Sequence, residues 1–70
     1  MERRNVSSSK IRSVGYNDKA RVLEVELTDG SVFQYSGVSQ ELHRRMMSAP
    51  SIVSFYQDRI EEDFTRKRVR

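Results

Sequence analysis

Two alternating runs, Val22-Leu23-Glu24-Val25-Glu26-Leu27 and Ser31-Val32-Phe33-Gln34-Tyr35, flank Thr28-Asp29-Gly30. An Asp-Gly between such runs is the strongest short-range mark of a β-hairpin. The loop length decides which side chains are buried. A two-residue Asp29-Gly30 loop sets Glu26 opposite Phe33 and Glu24 opposite Tyr35, which puts both aromatics on the acidic face. A three-residue Thr28-Asp29-Gly30 loop, with Gly30 left-handed in a bulge, sets Val25 opposite Phe33 and Leu23 opposite Tyr35. Every large apolar group of the hairpin then shares one face. Burying an aromatic ring contributes roughly 1.5–3 kcal/mol, and so short a chain cannot forgo two of them. The three-residue loop is expected.

Around this hairpin the other elements follow. Ile11 to Tyr16 reads as a preceding strand with Val14 and Tyr16 on one face, and Gly15 inside it suggests a bulge or a close backbone approach. Asn17-Asp18-Lys19-Ala20 is a polar turn. Ser39 suits a helix N-cap, with Gln40 and Glu41 in the first turn. Leu42 and Met46, with His43 or Met47 beside them, form an apolar stripe. Ser48-Ala49-Pro50-Ser51 breaks that helix. Ile52, Phe55, Tyr56 and Ile60 give the next one a single apolar face, which Phe64 extends. The expected fold is α+β, a three-stranded antiparallel sheet followed by two helices packed on one face, β-β-β-α-α. Residues 1–9 read as a flexible arm, 10–64 as one domain and 65–70 as a basic tail.

Charge and composition exclude several classes. The net charge is +3, from 13 basic and 10 acidic residues. Four of the cations lie at Arg66, Lys67, Arg68 and Arg70, so residues 1–65 carry a net of −1. Any attraction for phosphate therefore resides in the termini. The chain has no cysteine, which excludes a disulfide framework and a thiolate metal site. No apolar run reaches the roughly 20 residues of a membrane span. The first residues carry basic groups without a hydrophobic region behind them, so they do not read as a secretory signal. The expected location is the cytoplasm.

The order and spacing of several short motifs resemble a known family. Val14-Gly15-Tyr16-Asn17, Leu23-Glu24-Val25-Glu26-Leu27, Gly30-Ser31-Val32-Phe33-Gln34-Tyr35-Ser36-Gly37-Val38 and Ala49-Pro50-Ser51 with Phe55-Tyr56 look like the KTSC domain family, over about residues 7–64. The family takes its name from a domain at the C-terminus of some lysyl-tRNA synthetases, and it also occurs as free-standing small bacterial proteins. The resemblance implies a small bacterial domain, with RNA binding suggested by the synthetase context. Phe33-Gln34-Tyr35 stands where the family has Tyr-x-Tyr. Ser51-Ile52-Val53 stands where several members have Ser-Lys-Gly, and Gln57 and Glu61 replace an Asn and an Arg.

The candidate site residues follow from charge and from the aromatics. Arg44, Arg45, Arg66, Lys67, Arg68 and Arg70 are the candidate contacts to nucleic acid. Phe33 and Tyr35 are read as core, the alternative being a stacking platform for bases. His43 is the only histidine; it lacks a partner at a telling spacing and reads as a partly exposed surface residue. Asp58, Glu61, Glu62 and Asp63 read as solvated, or as partners of the basic tail. No constellation for catalysis, for a metal or for a cofactor is present. The chain therefore reads as a non-enzymatic accessory RNA-binding module. The alternative is a protein-interaction module or a small homo-oligomer using a sheet edge or the helix surface.

Overall fold

A computed structural model describes residues 3–6 and 8–70. It forms one five-stranded antiparallel sheet with strands in chain order. The strands are β1 (Arg3–Asn5), β2 (Ile11–Asn17), β3 (Val22–Leu27), β4 (Val32–Ser36) and β5 (Arg66–Arg68). Helix α1 (Gln40–Ser48) and helix α2 (Ile52–Phe55) follow β4, and α2 runs directly into a wider π-helical turn, Tyr56–Ile60. The expected α+β class with two helices holds, but the sheet has five strands rather than three. The two additional strands come from segments read as an arm and a tail. β1 pairs with β2, and β5 pairs with β4, so each caps one edge of the sheet. Met1, Glu2 and Ser7, part of the segment read as an arm, lie outside the described residues.

The central hairpin has the three-residue loop. Val25 lies opposite Phe33 and Leu23 opposite Tyr35. Leu27 N–H donates to the Ser31 carbonyl at 2.8 Å, and Gly30 takes φ +96°. The Asp29 carboxylate accepts the Ser31 N–H at 2.9 Å. That bond holds the Asp29 pKa below its ordinary value. Leu23, Val25 and Tyr35 are fully buried, and Phe33 packs against the same core.

β2 departs from the expected local geometry. Its register shift lies between Ile11 and Ser13, at exposed Arg12, while Gly15 pairs regularly with Arg3 and Glu24. The extra residue at Arg12 changes the alternation, so Ile11 and Val14 both reach the core. Gly15 has a different use. Residues directly opposite one another share a face, so Arg3, Gly15 and Glu24 form one row across three strands. With no side chain at Gly15, the Arg3 guanidinium crosses the row and meets Glu24 at 3.3 Å.

The helices cover one face of the sheet. Ser39 caps α1 by accepting the Leu42 N–H at 3.1 Å. Ala49 is extended, as the residue before a proline must be, and α1 ends there. Ser51 caps α2 through the Ser54 N–H at 3.3 Å. Glu61 N–H then reaches back five residues to the Tyr56 carbonyl at 2.8 Å, and Tyr56 and Ile60 both enter the core. Arg21, left-handed at φ +55°, turns its carbonyl to accept the N–H groups of Gly37 and Val38, each at 3.0 Å. This pins the chain where it leaves the sheet for α1.

Candidate functional site

The sheet face opposite the helices carries a layer of matched charge. Glu24 accepts the Gln34 amide at 2.9 Å and pairs with Arg3. Glu26 accepts the Ser13 hydroxyl at 2.9 Å and pairs with Arg70 at 3.0 Å. The Ser13 bond first, and then the charges of Arg3, Arg12 and Arg70, hold the Glu26 carboxyl below its ordinary pKa. The two acids of this face are thus each matched by an arginine from a terminal segment. Lys67 lies opposite Gln34 in the register, on the same face. Counting Arg3, Arg12, Lys67 and Arg70 against Glu24 and Glu26, the open face is positive although residues 1–65 are not.

The six sequence-predicted basic residues fall in two places. Arg44 and Arg45 are exposed on α1, and Arg45 pairs with Glu41 one turn earlier at 3.0 Å. Arg66, Lys67 and Arg68 stand on β5, and Arg70 reaches across to Glu26. The Arg66 guanidinium lies over the Phe33 ring, 4.6 Å from its centre. Strand β5 therefore divides the tail cations: Lys67 and Arg70 join the open face, whereas Arg66 and Arg68, opposite Tyr35 and Phe33, point to the helix side, where Arg44 and Arg45 also lie on α1. No ion pair joins Asp58, Glu61, Glu62 or Asp63 to the tail among the described residues.

The pair Phe33 and Tyr35 faces the helices. Tyr35 is fully buried, and its hydroxyl hydrogen-bonds that of Tyr56. Burial first, and the bond to Tyr35 second, push the Tyr56 phenol above its ordinary pKa. Neither ring is available as a platform on the open face, which carries no aromatic residue in its registered rows.

A second feature was missed by sequence reasoning. A cleft of about 630 Å³ opens between β1–β2 and α1, lined among others by Arg4, Tyr16, Asp18, Gln40, His43 and Met47. Arg4 lies opposite Val14, so it faces the helix side while its neighbour Arg3 faces the open side. The Tyr16 and His43 rings stack with centroids 4.7 Å apart and planes 9° from parallel. The Tyr16 hydroxyl donates to the Val38 carbonyl at 2.6 Å, which fixes the stack. Burial first, and the Arg4 charge second, hold the His43 pKa below its ordinary value, which favours the neutral imidazole. The available signal was the lone histidine one helical step from the apolar stripe, but its partner Tyr16 is distant in sequence. No group of three potential metal ligands occurs among the described residues. No helix there is long and apolar enough to cross a membrane.

Comparison with known proteins agrees with this architecture. The family model of the KTSC domain matches residues 7–64. An uncharacterised protein of Stutzerimonas stutzeri is 35% identical over 52 residues, which is 74% of this chain and 73% of that protein. The crystal structure of a KTSC domain protein from Yersinia pestis superposes with a TM-score of 0.93 at 36% identity, covering 99% of this chain and 97% of the other. The matched residues take in the hairpin, both helices and the Tyr16–His43 stack, and on this ground the chain belongs to the KTSC domain family.

Proposed function

We propose that the protein is a non-enzymatic accessory module that binds RNA through the phosphate backbone, using the open sheet face and the basic strand β5. The observation that carries this reading is the charge matching on that face. Glu24 and Glu26 are already engaged by Arg3 and Arg70, so Arg12 and Lys67 are surplus cations there. Arg66 and Arg68, opposite Tyr35 and Phe33, point to the helix side of β5, so they add positive charge at the rim of this edge rather than on the open face itself. With no aromatic in the registered rows of this face, bases are not stacked, and binding follows charge rather than sequence. Arg44 and Arg45 lie on the helix side and are not part of this surface. The synthetase context of the family points the same way. The reading places the protein in the cytoplasm, and a chain without cysteine needs no oxidising compartment.

Of the alternatives, a second copy added at a sheet edge has electrostatics against it. Both edges are basic, through Arg3 and Arg4 on β1 and Arg66, Lys67 and Arg68 on β5. Like charge on edge strands opposes edge-to-edge pairing of copies.

The test is binding of a labelled single-stranded RNA by fluorescence anisotropy at two salt concentrations. About four phosphate contacts predict a log–log salt slope near −2.8, or about fifty-fold weaker binding at 200 mM than at 50 mM salt. Arg12→Gln with Lys67→Gln reduces that slope by about 1.4. An affinity indifferent to salt, or a double variant that binds like the parent chain, refutes the reading.

A further inference from the structure

We infer that the cleft between β1–β2 and α1 binds a small ligand in which a planar ring carries an anionic group, the chemistry of a nucleoside monophosphate. This site opens at the β1–β2 edge toward the helix side; it touches the open sheet face only at Arg3 and Gly15 of its rim, uses neither Arg12 nor Lys67, and does not rest on the RNA reading.

Four observations converge on that chemistry. The first is size: about 630 Å³ lies within the range of small-molecule sites, roughly 300–1,000 Å³. The second is the cation. Arg3 is committed to Glu24, whereas Arg4 has no carboxylate at ion-pair distance among the described residues and lines the cleft. A guanidinium presents paired N–H donors in a plane, which suits a phosphate or carboxylate.

The third is the wall. Tyr16 and His43, stacked on one another, both line the cleft, and the Tyr16–Val38 hydrogen bond fixes the pair, so this aromatic wall requires no reordering to receive a ring. Met47 supplies a polarizable thioether on the same side, which packs well against aromatic rings. The fourth is the polar rim. Asp18 accepts hydrogen bonds and Gln40 both donates and accepts, so they match an exocyclic amine or sugar hydroxyls. A simple anion would leave the aromatic wall and Asp18 unused, and a purely apolar ligand would leave Arg4 and Asp18 without partners.

The experiment titrates the full 70-residue chain with AMP and follows amide and imidazole NMR shifts. Adenosine and inorganic phosphate are the comparison probes. The expected result is a saturable response of Gly15, Asp18, His43 and Met47, with AMP bound at least about tenfold tighter than either fragment. Arg4→Gln, at an exposed position on an edge strand, weakens AMP by about tenfold or more and leaves adenosine unchanged. Arg12→Gln with Lys67→Gln leaves AMP binding intact, which separates this site from the open face. The inference is overturned if the cleft residues do not respond to AMP. It is equally overturned if phosphate alone binds as tightly, or if Arg4→Gln has no effect. A 5′-phosphorylated RNA trinucleotide in the same titration assigns the source. Matching AMP at the same amides makes the ligand a strand end, and failing to match makes it a free nucleotide; either result supports the shared chemistry.

Discussion

The hydroxyls of Tyr35 and Tyr56 share a hydrogen bond inside the core, with their rings edge to face at 5.7 Å and 88°. One ring comes from strand β4 and the other from the π-helical turn, so this contact ties the helix layer to the centre of the sheet. Two buried phenols satisfy each other here, with the Arg66 guanidinium beside them, and removing one takes away the other's buried partner.

Tyr56→Phe is therefore expected to cost about 1–3 kcal/mol, since the Tyr35 hydroxyl loses its buried partner and keeps only the neighbouring Arg66. Tyr35→Phe acts in the same way on Tyr56. The double Phe variant costs less than the sum of the two, because no orphaned group remains. Urea unfolding of the three variants measures the coupling, and strictly additive losses would show that the hydroxyls do not depend on each other. Tyr35→Ala removes the ring as well and costs about 3–5 kcal/mol.

Gly30 isolates the backbone cost of the hairpin. Its φ is +96°, and a Cβ built there meets nothing within 4 Å. Gly30→Ala thus tests conformation without steric contact and lowers stability by about 1–2 kcal/mol. Gly30→Asn costs less, because asparagine tolerates the left-handed region better. Denaturant midpoints decide it. An alanine variant as stable as the parent chain would mean that the loop relaxes to another turn.

Arg21 offers the reverse case. It is a non-glycine residue at φ +55°, held there because its carbonyl serves both Gly37 and Val38. Arg21→Gly relieves the left-handed strain and raises stability by up to about 1 kcal/mol after the added chain entropy. Arg21→Val lowers it. Thermal unfolding of the pair provides the sign directly.

His43 predicts a pH dependence. Its folded pKa is depressed below the ordinary 6.5, by burial and then by Arg4. A base so shifted binds fewer protons folded than unfolded, so its contribution is present above about pH 6.5 and is lost as pH falls through the folded value. The depressed carboxyls of Glu26 and Asp29 start from 4.5 and 3.8 and lose their contributions at lower pH. Stability between pH 7 and 5 therefore declines through His43, and His43→Gln flattens that part of the curve. An NMR titration is the more direct check. Arg4→Gln raises the His43 pKa yet leaves it below 6.5, because burial is the larger cause.

What could be read from the chain depended on how local the determining physics was. The hairpin register followed from Asp29-Gly30 and from the need to bury Phe33 and Tyr35 with Leu23 and Val25. Ser39, Pro50 and Ser51 bounded the helices by chemistry contained within one turn. The two edge strands were not legible. Arg3–Asn5 and Arg66–Arg68 are short and polar with no apolar alternation, and they extend because β2 and β4 offer unpaired backbone groups. The bulge sits at Arg12 rather than Gly15 because the core demanded both Ile11 and Val14. The open-face charges were visible as Glu24 and Glu26, but their partners Arg3 and Arg70 lie at the chain ends. The cleft needed Arg4, Tyr16 and His43, three residues joined only by the finished fold.

RNA binding at the open face is tested by mapping RNA onto the surface of the folded chain. A short single-stranded RNA is titrated into the labelled protein at low salt, and amide shifts are followed. The responses are expected to gather on Ser13, Glu24, Gln34 and Lys67 of the open face and along β5, and to fade together as salt is raised. Responses confined to Arg44, Arg45 and the rest of α1, or no response at all, would contradict binding at that face.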